Sequence, residues 1–424
     1  MAATEASALL RHAAAEAEKV AAVAVAPGHG QQGSALSSFL GLATTMMGAC
    51  ILTLPGAVAA LGIVPAVLLF VLAAALTYAS FEMITAACDA TGAFSYEALS
   101  SRLFGAAGVW AIRLLTLLLL FGSIVMYNVI AMDLFEPFLA GVLSRSAIGA
   151  LFAVVAVPLC LPETIHELRY LNLLVILCVM YILFALTVRT VQGDPALAAR
   201  VSPADVAATQ FASEAAAVAY ALPIISLSFA CQLNVPRAYE EIHDKQAMKR
   251  VHQALVSVGL IVYVAFAVLG FVCFGGHPPS DILTGFRPDD ALINGARLCL
   301  GASMVLKTPM TFQPLRQAVE LTFLGHDRES LAFRAVITSV FMVVAHLLAV
   351  YAQDLGVVMS FVGALAGNLL TITVPGLFLY EACRSFVFDA SGATNRKLAL
   401  AMAVTGVGFS VVSLTYLGYN AAVN

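Results

Sequence analysis

The sequence predicts an all-α integral membrane protein with about eleven transmembrane helices, and two observations support this prediction. First, 61% of the 424 residues are hydrophobic and only 11% are charged, whereas soluble domains average roughly 45–50% apolar and about 25% charged residues. Second, the apolar residues occur in long blocks, and about 20 apolar residues are enough for a helix to cross a bilayer. Helix is required in these blocks because lipid offers no hydrogen-bond partners to peptide groups.

Eleven apolar blocks define the predicted organisation of the chain. Residues 1–34 are Ala-rich and charged, and we expect a disordered cytosolic tail because they lack the basic start and apolar core of a signal peptide. Residues 35–190 hold blocks 1–5, residues 191–214 an extracytosolic loop, residues 215–380 blocks 6–10, and residues 381–424 a loop and block 11. The blocks lie at 35–62, 63–88, 110–135, 146–161, 170–188, 215–236, 253–274, 293–315, 335–351, 355–380 and 398–419.

Lysine and arginine are distributed unevenly between the two predicted sides of the membrane. With the N-terminus placed in the cytosol, fourteen fall in the inner segments, and Arg113 and Lys307 fall within blocks. This asymmetry agrees with the positive-inside rule, so the sequence predicts a cytosolic N-terminus and an extracytosolic C-terminus. The five basic residues of the outer loops and their edges are Arg145, Arg189, Arg200, Arg287 and Arg297.

Several function classes lack support in the sequence. The net charge of −4 does not suggest a nucleic-acid partner. The eight cysteines are scattered without a CxxC or Cys/His pattern, which argues against a metal or redox site. Cys273 and Cys299 flank one predicted loop and could pair, although buried unpaired cysteines are the commoner case. No nucleophile–base constellation, phosphate-binding loop or metal-ligand cluster is apparent, so we expect neither an enzyme nor a cofactor.

Blocks 1 and 6 are each interrupted by glycine or proline near their middles. Block 1 contains Gly48 and the pair Pro55-Gly56, and block 6 contains Pro223 and Pro236. Blocks 1 and 6 are the first helices of two sets of five. Because each set has an odd number of helices, the second set starts on the opposite side of the membrane, and the two sets would be inverted repeats. Simple kinks are the alternative interpretation. Paired interruptions at matching positions of inverted repeats favour instead the midplane binding site of a transporter.

Broken helices would expose backbone groups that can bind a zwitterion. The half-helix that begins near Gly48 would present free N–H groups and the positive end of its dipole to a carboxylate. Carbonyl groups freed at both breaks, with the hydroxyls of Thr44, Thr45 and Ser228, would accept hydrogen bonds from an ammonium group. The pattern therefore predicts a substrate site between the two breaks that fits a zwitterion.

Five short motifs resemble, in order, those of the amino acid/auxin permease superfamily. Thr44–Pro55 resembles the first helix of that family, and Cys231–Val235 followed by Tyr239-Glu240-Glu241 resembles its sixth. The resemblance spans about residues 35 to 420 and is closest to the vacuolar-type branch, whereas the sodium-coupled neutral amino-acid carriers are a more distant match. The remaining motifs are Ser95-Tyr96-Glu97 with Leu103-Phe104-Gly105, Thr308-Pro309-Met310 with Leu315-Arg316-Gln317, and Asn368-Leu369-Leu370 with Pro375.

The resemblance implies a LeuT-type fold, a 5+5 inverted repeat plus one helix, and secondary transport of amino acids. Two departures from the family pattern matter. Cys50 replaces the second glycine of a Gly-x-Gly motif and would narrow the approach to the carboxylate. Thr44 and Pro314 match the positions of two sodium ligands in the sodium-coupled relatives, and proline offers no side-chain oxygen. The candidate substrate-binding residues are Thr44, Thr45, Gly48, Ala49, Cys50, Tyr127, Ser228, Phe229 and Gln232.

Lys307 is the ionisable residue that lies deepest in a predicted helix. It shares a helix face with Pro314, since the two are nearly two turns apart. Its ammonium group could stand in for a bound cation and exchange a proton during transport, with Thr311 as a second candidate for coupling. The alternative is a structural lysine that is bonded to carbonyls of a broken helix or to a neighbouring acid.

The other polar residues of the blocks fit structural roles. Glu82, Arg113 and Asp133 lie towards predicted helix ends, where snorkelling to the interface is the simpler interpretation. A lone histidine in a peripheral helix, His346, is more often structural. We expect Asn368 to bridge helices through modest polar bonds, with a role in packing or gating.

Taken together, these features predict a multi-pass, monomeric transporter of small or neutral amino acids that works by alternating access. Proton coupling is favoured over sodium, and the branch resemblance favours a vacuolar or other endomembrane. Two alternatives stay open. One is a sodium-coupled carrier of the same fold, and the other is an amino-acid sensor that binds its ligand with little transport. The short N-terminal segment favours transport over sensing.

Overall fold

The computed structural model of the chain describes residues 34–139, 141–161, 169–192, 215–274, 277–323, 331–352, 354–385 and 392–423. All regular elements within these ranges are helical. The α-helices are α1 (Ala35–Met46), α2 (Leu54–Leu61), α3 (Ile63–Thr91), α4 (Tyr96–Leu139), α5 (Arg145–Leu159), α6 (Arg169–Gln192), α7 (Ala215–Ser228), α8 (Val235–Glu241), α9 (Lys245–Cys273), α10 (Ala291–Phe323), α11 (Leu331–Ala352), α12 (Leu355–Val362), α13 (Val374–Ser385) and α14 (Gly392–Val423).

Most of these helices have the length and composition of membrane spans. In the described ranges eight helical segments are long and apolar enough to cross a membrane, and α1 with α2 adds a ninth, bent by 49°. Helix α5 is shorter, with 15 residues, and α10 has 33 residues but carries Arg297, Lys307 and Arg316. The multi-pass all-α fold is therefore confirmed, whereas the total of eleven spans stays a prediction.

The interruptions predicted for blocks 1 and 6 are both present. Helix α1 ends at Met46, a 3₁₀ segment covers Ala49–Thr53, and α2 follows. Helix α7 ends at Ser228, a 3₁₀ segment covers Gln232–Asn234, and α8 follows. A proline opens the second half-helix in both cases, where its missing N–H is not needed for helical bonding. We call these two regions the first break and the second break.

A third irregularity, which the sequence did not indicate, lies between α12 and α13. Gly363–Gly367 and Leu369–Thr373 are π-helical, so the wider turns replace α-helix across the middle of this span. Close packing occurs at Gly363, where a Cβ atom would lie 2.6 Å from the carbonyl oxygen of Pro223 in α7. Wide turns of this kind are rare and are frequently found at functional sites.

The third span differs from its predicted bounds of 110–135. Helix α4 begins at Tyr96, and Gly105 interrupts it with a positive φ of 66°. The segment that precedes Gly105 is held to the bundle because the Tyr96 hydroxyl donates to the Leu370 carbonyl at 3.1 Å. The simple loop expected between the second and third spans is therefore a short helical arm, which glycine joins to the main helix.

Ion pairing replaces the snorkelling expected for two of the three residues, Arg113 and Asp133. Arg113 is 5% exposed and pairs with Glu97 of the same helix at 3.2 Å. Asp133 pairs with Arg145 at 2.5 Å. The snorkelling interpretation was wrong for these residues because each found a charged partner within the protein, which avoids the cost of an isolated charge in lipid.

A similar polar contact involves Glu82 and His252, which lie 2.9 Å apart between α3 and α9. His346 lies 3.3 Å from the amide oxygen of Asn128, in keeping with a structural role. Asn368 is fully buried, and neither of its amide atoms has a hydrogen-bond partner among the residues that the structure describes. The interhelical hydrogen bond expected for Asn368 is therefore not formed.

Packing places both breaks in the centre of the bundle. Helices α4 and α10 pack against each other, and α9 packs against α1, α2 and α3. The second π-helical segment contacts α4 and the 3₁₀ segment of the second break. All eight cysteines, Cys273 and Cys299 included, have free thiols. The predicted N-terminal tail and most of the loop at 191–214 lie outside the described residues.

Candidate functional site

A cavity of about 680 Å³ lies between the two breaks, α4 and α10. Several of the predicted site residues line it, and they come from separate parts of the chain. The lining residues that the sequence singled out are Thr44, Thr45, Gly48, Cys50, Tyr127, Gln232, Lys307 and Thr311. Interactions between them include a contact of 3.4 Å between the Thr311 and Tyr127 hydroxyls.

The first break supplies backbone donors to this cavity. Gly48 precedes the 3₁₀ segment in an extended conformation, with φ −124° and ψ −166°. The first N–H groups of a helix have no intrahelical partner, and here they belong to residues beside the cavity. Lys307 lies directly beside Gly48, because a Cβ atom at that position would lie 3.5 Å from the Lys307 Nζ atom, in van der Waals contact. The first break therefore combines free N–H groups with a nearby ammonium group.

Lys307 reaches the first break from α10. Its Nζ atom donates to the Thr44 carbonyl at 3.3 Å, near the C-terminal end of α1. Carbonyls at a helix C-terminus carry partial negative charge, so they stabilise a cation there. No carboxylate pairs with Lys307 in the described part of the chain. This bond to a helix-end carbonyl is the contact expected of the structural lysine that the sequence left open as the alternative, and a role in coupling stays a prediction.

A residue that sequence reasoning missed, Tyr263 of α9, joins the two breaks. Its hydroxyl lies 2.7 Å from the carbonyl oxygen of Met46 and 2.7 Å from that of Ser228. Tyr263 is 1% exposed and its ring packs edge-on against Phe229, with centroids 5.0 Å apart. A single tyrosine within the apolar block at 253–274 was the only signal, and an isolated tyrosine is also a common packing residue.

The second break is largely satisfied by its own side chains. Gln232 accepts from the Cys231 backbone N–H at 2.9 Å and donates to the Ser80 hydroxyl at 3.2 Å. The Ser228 hydroxyl donates to the Ile224 carbonyl, and Phe229 is fully buried. Ser228 and Phe229 are absent from the cavity lining, as is Asn368, and the Ala49 side chain lies outside what the structure describes. The structure thus brings the first-break residues to the cavity but turns Ser228 and Phe229 away from it.

The cavity opens on the side of the membrane where α1 begins. Thr45 and Asn234 are exposed and bonded to each other at 3.0 Å. Arg237 lines the mouth with a side chain that is 81% exposed. The charged residues among the described lining are Arg237 and Lys307. Arg237 pairs with Glu241 at 3.0 Å, so Lys307 contributes most of the positive charge that faces the cavity. This charge favours a ligand that carries a carboxylate and disfavours a basic one.

The opposite end of the cavity is closed. Leu52 of the first break is fully buried beneath the loop that joins α9 to α10. The loop can pack closely against α9 and α2 because residue 270 of α9 is glycine. A Cβ atom there would lie 2.4 Å from Ile282 of the loop and 2.5 Å from Pro55 of α2. Arg297, itself 1% exposed, donates to carbonyl groups of this loop, including that of Leu283 at 2.7 Å.

Asp281 lies within the same closing loop. Its carboxylate accepts from the backbone N–H of Leu283 at 2.9 Å and so caps a short 3₁₀ turn, Ile282–Gly285. Burial raises the pKa of the Asp281 carboxyl, while Arg297 and Arg145 oppose that shift. The cavity is therefore accessible from one side and sealed on the other, with charged groups in the seal.

This arrangement of broken helices around a central cavity is the LeuT-type transporter fold. A sodium-coupled sialic acid symporter in an outward-open, substrate-bound state superposes with a TM-score of 0.55 at 14% identity, covering 89% of this chain and 90% of that one. A manganese transporter from Eremococcus coleocola gives a TM-score of 0.51 at 13% identity, covering 91% and 94%. At these identities the likeness defines the fold alone.

The family follows from the sequence comparison. Residues 31–419 match the family model described as "Transmembrane amino acid transporter protein", and the chain belongs to that family. It therefore belongs to a transporter family and not to an enzyme family, and its family implies an amino acid as substrate. The resemblance seen in the short motifs is confirmed.

Curated relatives carry a more specific name. "Putative sodium-coupled neutral amino acid transporter 11" from Bos taurus is 26% identical over 383 residues, which cover 85% of this chain and 81% of that protein. Its namesake from Rattus norvegicus is 24% identical over 359 residues, covering 82% and 78%. These relatives are named for sodium coupling, whereas the vacuolar-type branch was the closer match by motif. The branch stays a prediction.

Proposed function

We propose that the protein is a secondary active transporter of small neutral amino acids, coupled to protons rather than to sodium and working by alternating access. The observation that carries this proposal is the first break, where free N–H groups and the Lys307 ammonium group face one cavity. Broken half-helices of this kind bind substrate and coupling ion in transporters built from inverted repeats.

The substrate assignment follows from the charges of the cavity. A substrate carboxylate would bind at the N-terminus of the Ala49–Thr53 segment, where the helix dipole and the N–H groups favour an anion. A basic side chain would meet Lys307 and Arg237 without a compensating acid among the described lining residues. Small neutral amino acids fit these constraints best.

The coupling assignment rests on Lys307. Its ammonium group occupies the negative end of α1, a position that would otherwise attract a cation. Gain and loss of a proton on Lys307 would add and remove that charge during the transport cycle. A proton bound to Lys307 would thus supply the positive charge that a bound sodium ion supplies in a sodium-coupled carrier.

Uptake into proteoliposomes tests this proposal. We expect the wild-type protein to accumulate neutral amino acids under an imposed pH gradient with choline as the only monovalent cation. Accumulation by Lys307→Met should be at least tenfold lower than by the wild type, because the variant cannot take up the coupled proton. Exchange of labelled for unlabelled substrate should continue.

Lys397→Met is the matched control, since Lys397 is an exposed cation of α14 remote from the cavity lining. It should behave as the wild type. Unchanged pH-driven accumulation in Lys307→Met would remove Lys307 from the coupling mechanism.

Sodium coupling is the second candidate, and the name of the curated relatives favours it. Under this alternative, replacement of sodium by choline would abolish accumulation even in the presence of a pH gradient. The same proteoliposomes therefore distinguish the two coupling ions. Binding without any exchange would instead identify a sensor.

The orientation and membrane complete the proposal. The positive-inside distribution supports a cytosolic N-terminus, which makes the open side of the cavity the cytosolic side. We propose a monomer in a vacuolar or other endomembrane, on the strength of the motif resemblance.

A further inference from the structure

Two helix C-termini converge on one hydroxyl group at the centre of the molecule. Met46 is the last residue of α1 and Ser228 is the last residue of α7. The carbonyl oxygen of each lies 2.7 Å from the Tyr263 hydroxyl. Because Tyr263 belongs to α9, a third helix bridges the corresponding ends of the two broken spans.

The negative ends of α1 and α7 meet at this point. The Lys307 ammonium group bonds to the Thr44 carbonyl of α1, whereas the carbonyls of Met46 and Ser228 face the Tyr263 hydroxyl. The C-terminus of a helix carries roughly half a negative charge, and its last carbonyls have no intrahelical partner. A tyrosine hydroxyl has only one hydrogen, so it can donate to only one of the two carbonyls at a time. Freed carbonyls at half-helix C-termini are groups that bind sodium ions in broken-helix transporters.

We propose that the Tyr263 hydroxyl occupies the position of a monovalent cation between the two breaks, and that removal of the whole Tyr263 side chain creates a sodium site there. The inference deepens the proposed function, because it gives a structural reason for transport without sodium. Tyr263 is a positioning residue in this scheme: it holds the two helix ends together and does not need to touch the substrate.

The local packing fixes the hydroxyl in this place. Gly259 lies one turn before Tyr263, and a Cβ atom there would lie 2.5 Å from the Met46 side chain. Glycine thus lets α9 approach the end of α1 closely. On the other side, the Phe229 ring packs edge-on against the Tyr263 ring. The ring is held between the two breaks, so its hydroxyl cannot leave both carbonyls without movement of a helix.

Tyr263→Ala tests the proposal because it removes the ring together with the hydroxyl. In Tyr263→Phe, by contrast, the retained ring carbon lies within covalent-bond distance of the cation position and blocks it. The experiment measures the Tm of the purified full-length protein in choline, potassium or sodium chloride at equal ionic strength, without any amino acid. In choline we expect a lower Tm for both variants than for the wild type. Sodium should then raise the Tm of Tyr263→Ala in a saturable manner, since a ligand that binds the folded state stabilises it by mass action. Tyr263→Phe and the wild type should show no such rise.

Tyr181→Ala is the matched control. The Tyr181 hydroxyl donates to a helix carbonyl, that of Leu292, at 3.1 Å, but it joins α6 to α10 away from the breaks. Tyr181→Ala should give the same Tm in all three salts.

Two results would overturn the proposal. One is a Tyr263→Ala protein whose Tm is the same in sodium as in choline. The other is an equal rise of the Tm in sodium for Tyr263→Phe, because the retained ring leaves no room for a cation at the hydroxyl position. The measurement uses no amino acid and no transport, so its failure leaves the substrate assignment intact, and a failed transport assay leaves this inference intact.

Discussion

The two breaks resemble each other in backbone and differ in how their polar groups are satisfied. Both consist of a helix end, a 3₁₀ segment and a half-helix that a proline opens. At the second break, the Gln232 side chain accepts a hydrogen bond from the Cys231 N–H and donates one to the Ser80 hydroxyl. At the first break, Gly48 contributes no side chain and Lys307 is the nearest group.

This difference indicates that the two breaks have different roles. A break that is satisfied by its own side chains is a fixed structural element, because unmade hydrogen bonds are costly in a membrane. A break whose N–H groups face a cavity is completed by whatever enters that cavity. We therefore assign ligand recognition to the first break and structural support to the second, and three substitutions test this assignment.

The largest effect is expected from Gly48→Val. A branched side chain would occupy the space between the backbone and Lys307, where even a Cβ atom lies 3.5 Å from Nζ. We expect the affinity for substrate to fall roughly a hundredfold, or about 2.7 kcal/mol, with little change in Tm of the ligand-free protein. A panel of amino acids in a thermal-shift assay measures both quantities.

Gly56→Val is the control for Gly48→Val, because nothing lies within 4 Å of a Cβ atom at Gly56. Retention of full affinity in Gly48→Val would contradict the placement of the substrate at the first break.

A smaller effect, on stability rather than on affinity, is expected from Gln232→Leu. The substitution leaves the buried Cys231 N–H without its partner, which typically costs about 1–3 kcal/mol of folding free energy. The Tm should fall, while substrate affinity should change less than threefold. Gln246→Leu, at an exposed position of α9, serves as the control. Loss of affinity at unchanged Tm would instead make the second break a ligand site.

The comparison also explains how much of the site could be predicted from the sequence. Glycine and proline interrupt helices for local reasons, so Gly48, Pro55 and Pro236 located both breaks. The position of Lys307 deep in an apolar block made it a candidate functional residue, because a charged side chain in the membrane is energetically costly. These are properties of single positions, and a sequence displays them directly.

Partners across the bundle were not predictable in the same way. Tyr263 touches residues that lie 35 and 217 positions away, and Gln232 bonds to Ser80 across 152 positions. Arg113 was expected to snorkel because its partner Glu97 was assigned to a loop. The direction of a side chain depends on helix rotation and tertiary packing, which residue order alone does not encode.

The smallest expected effect is a change of specificity in Cys50→Gly. Cys50, at the first break, and Cys231, at the second, both line the cavity, but Cys50 is partly exposed whereas Cys231 is 3% exposed. Removal of the Cys50 side chain should let bulkier neutral amino acids bind about three- to fivefold more tightly, a gain below roughly 1 kcal/mol, and leave small ones unchanged. Cys231→Gly should shift neither group. If Cys231→Gly altered specificity and Cys50→Gly did not, the roles that we assign to the two breaks would have to be exchanged.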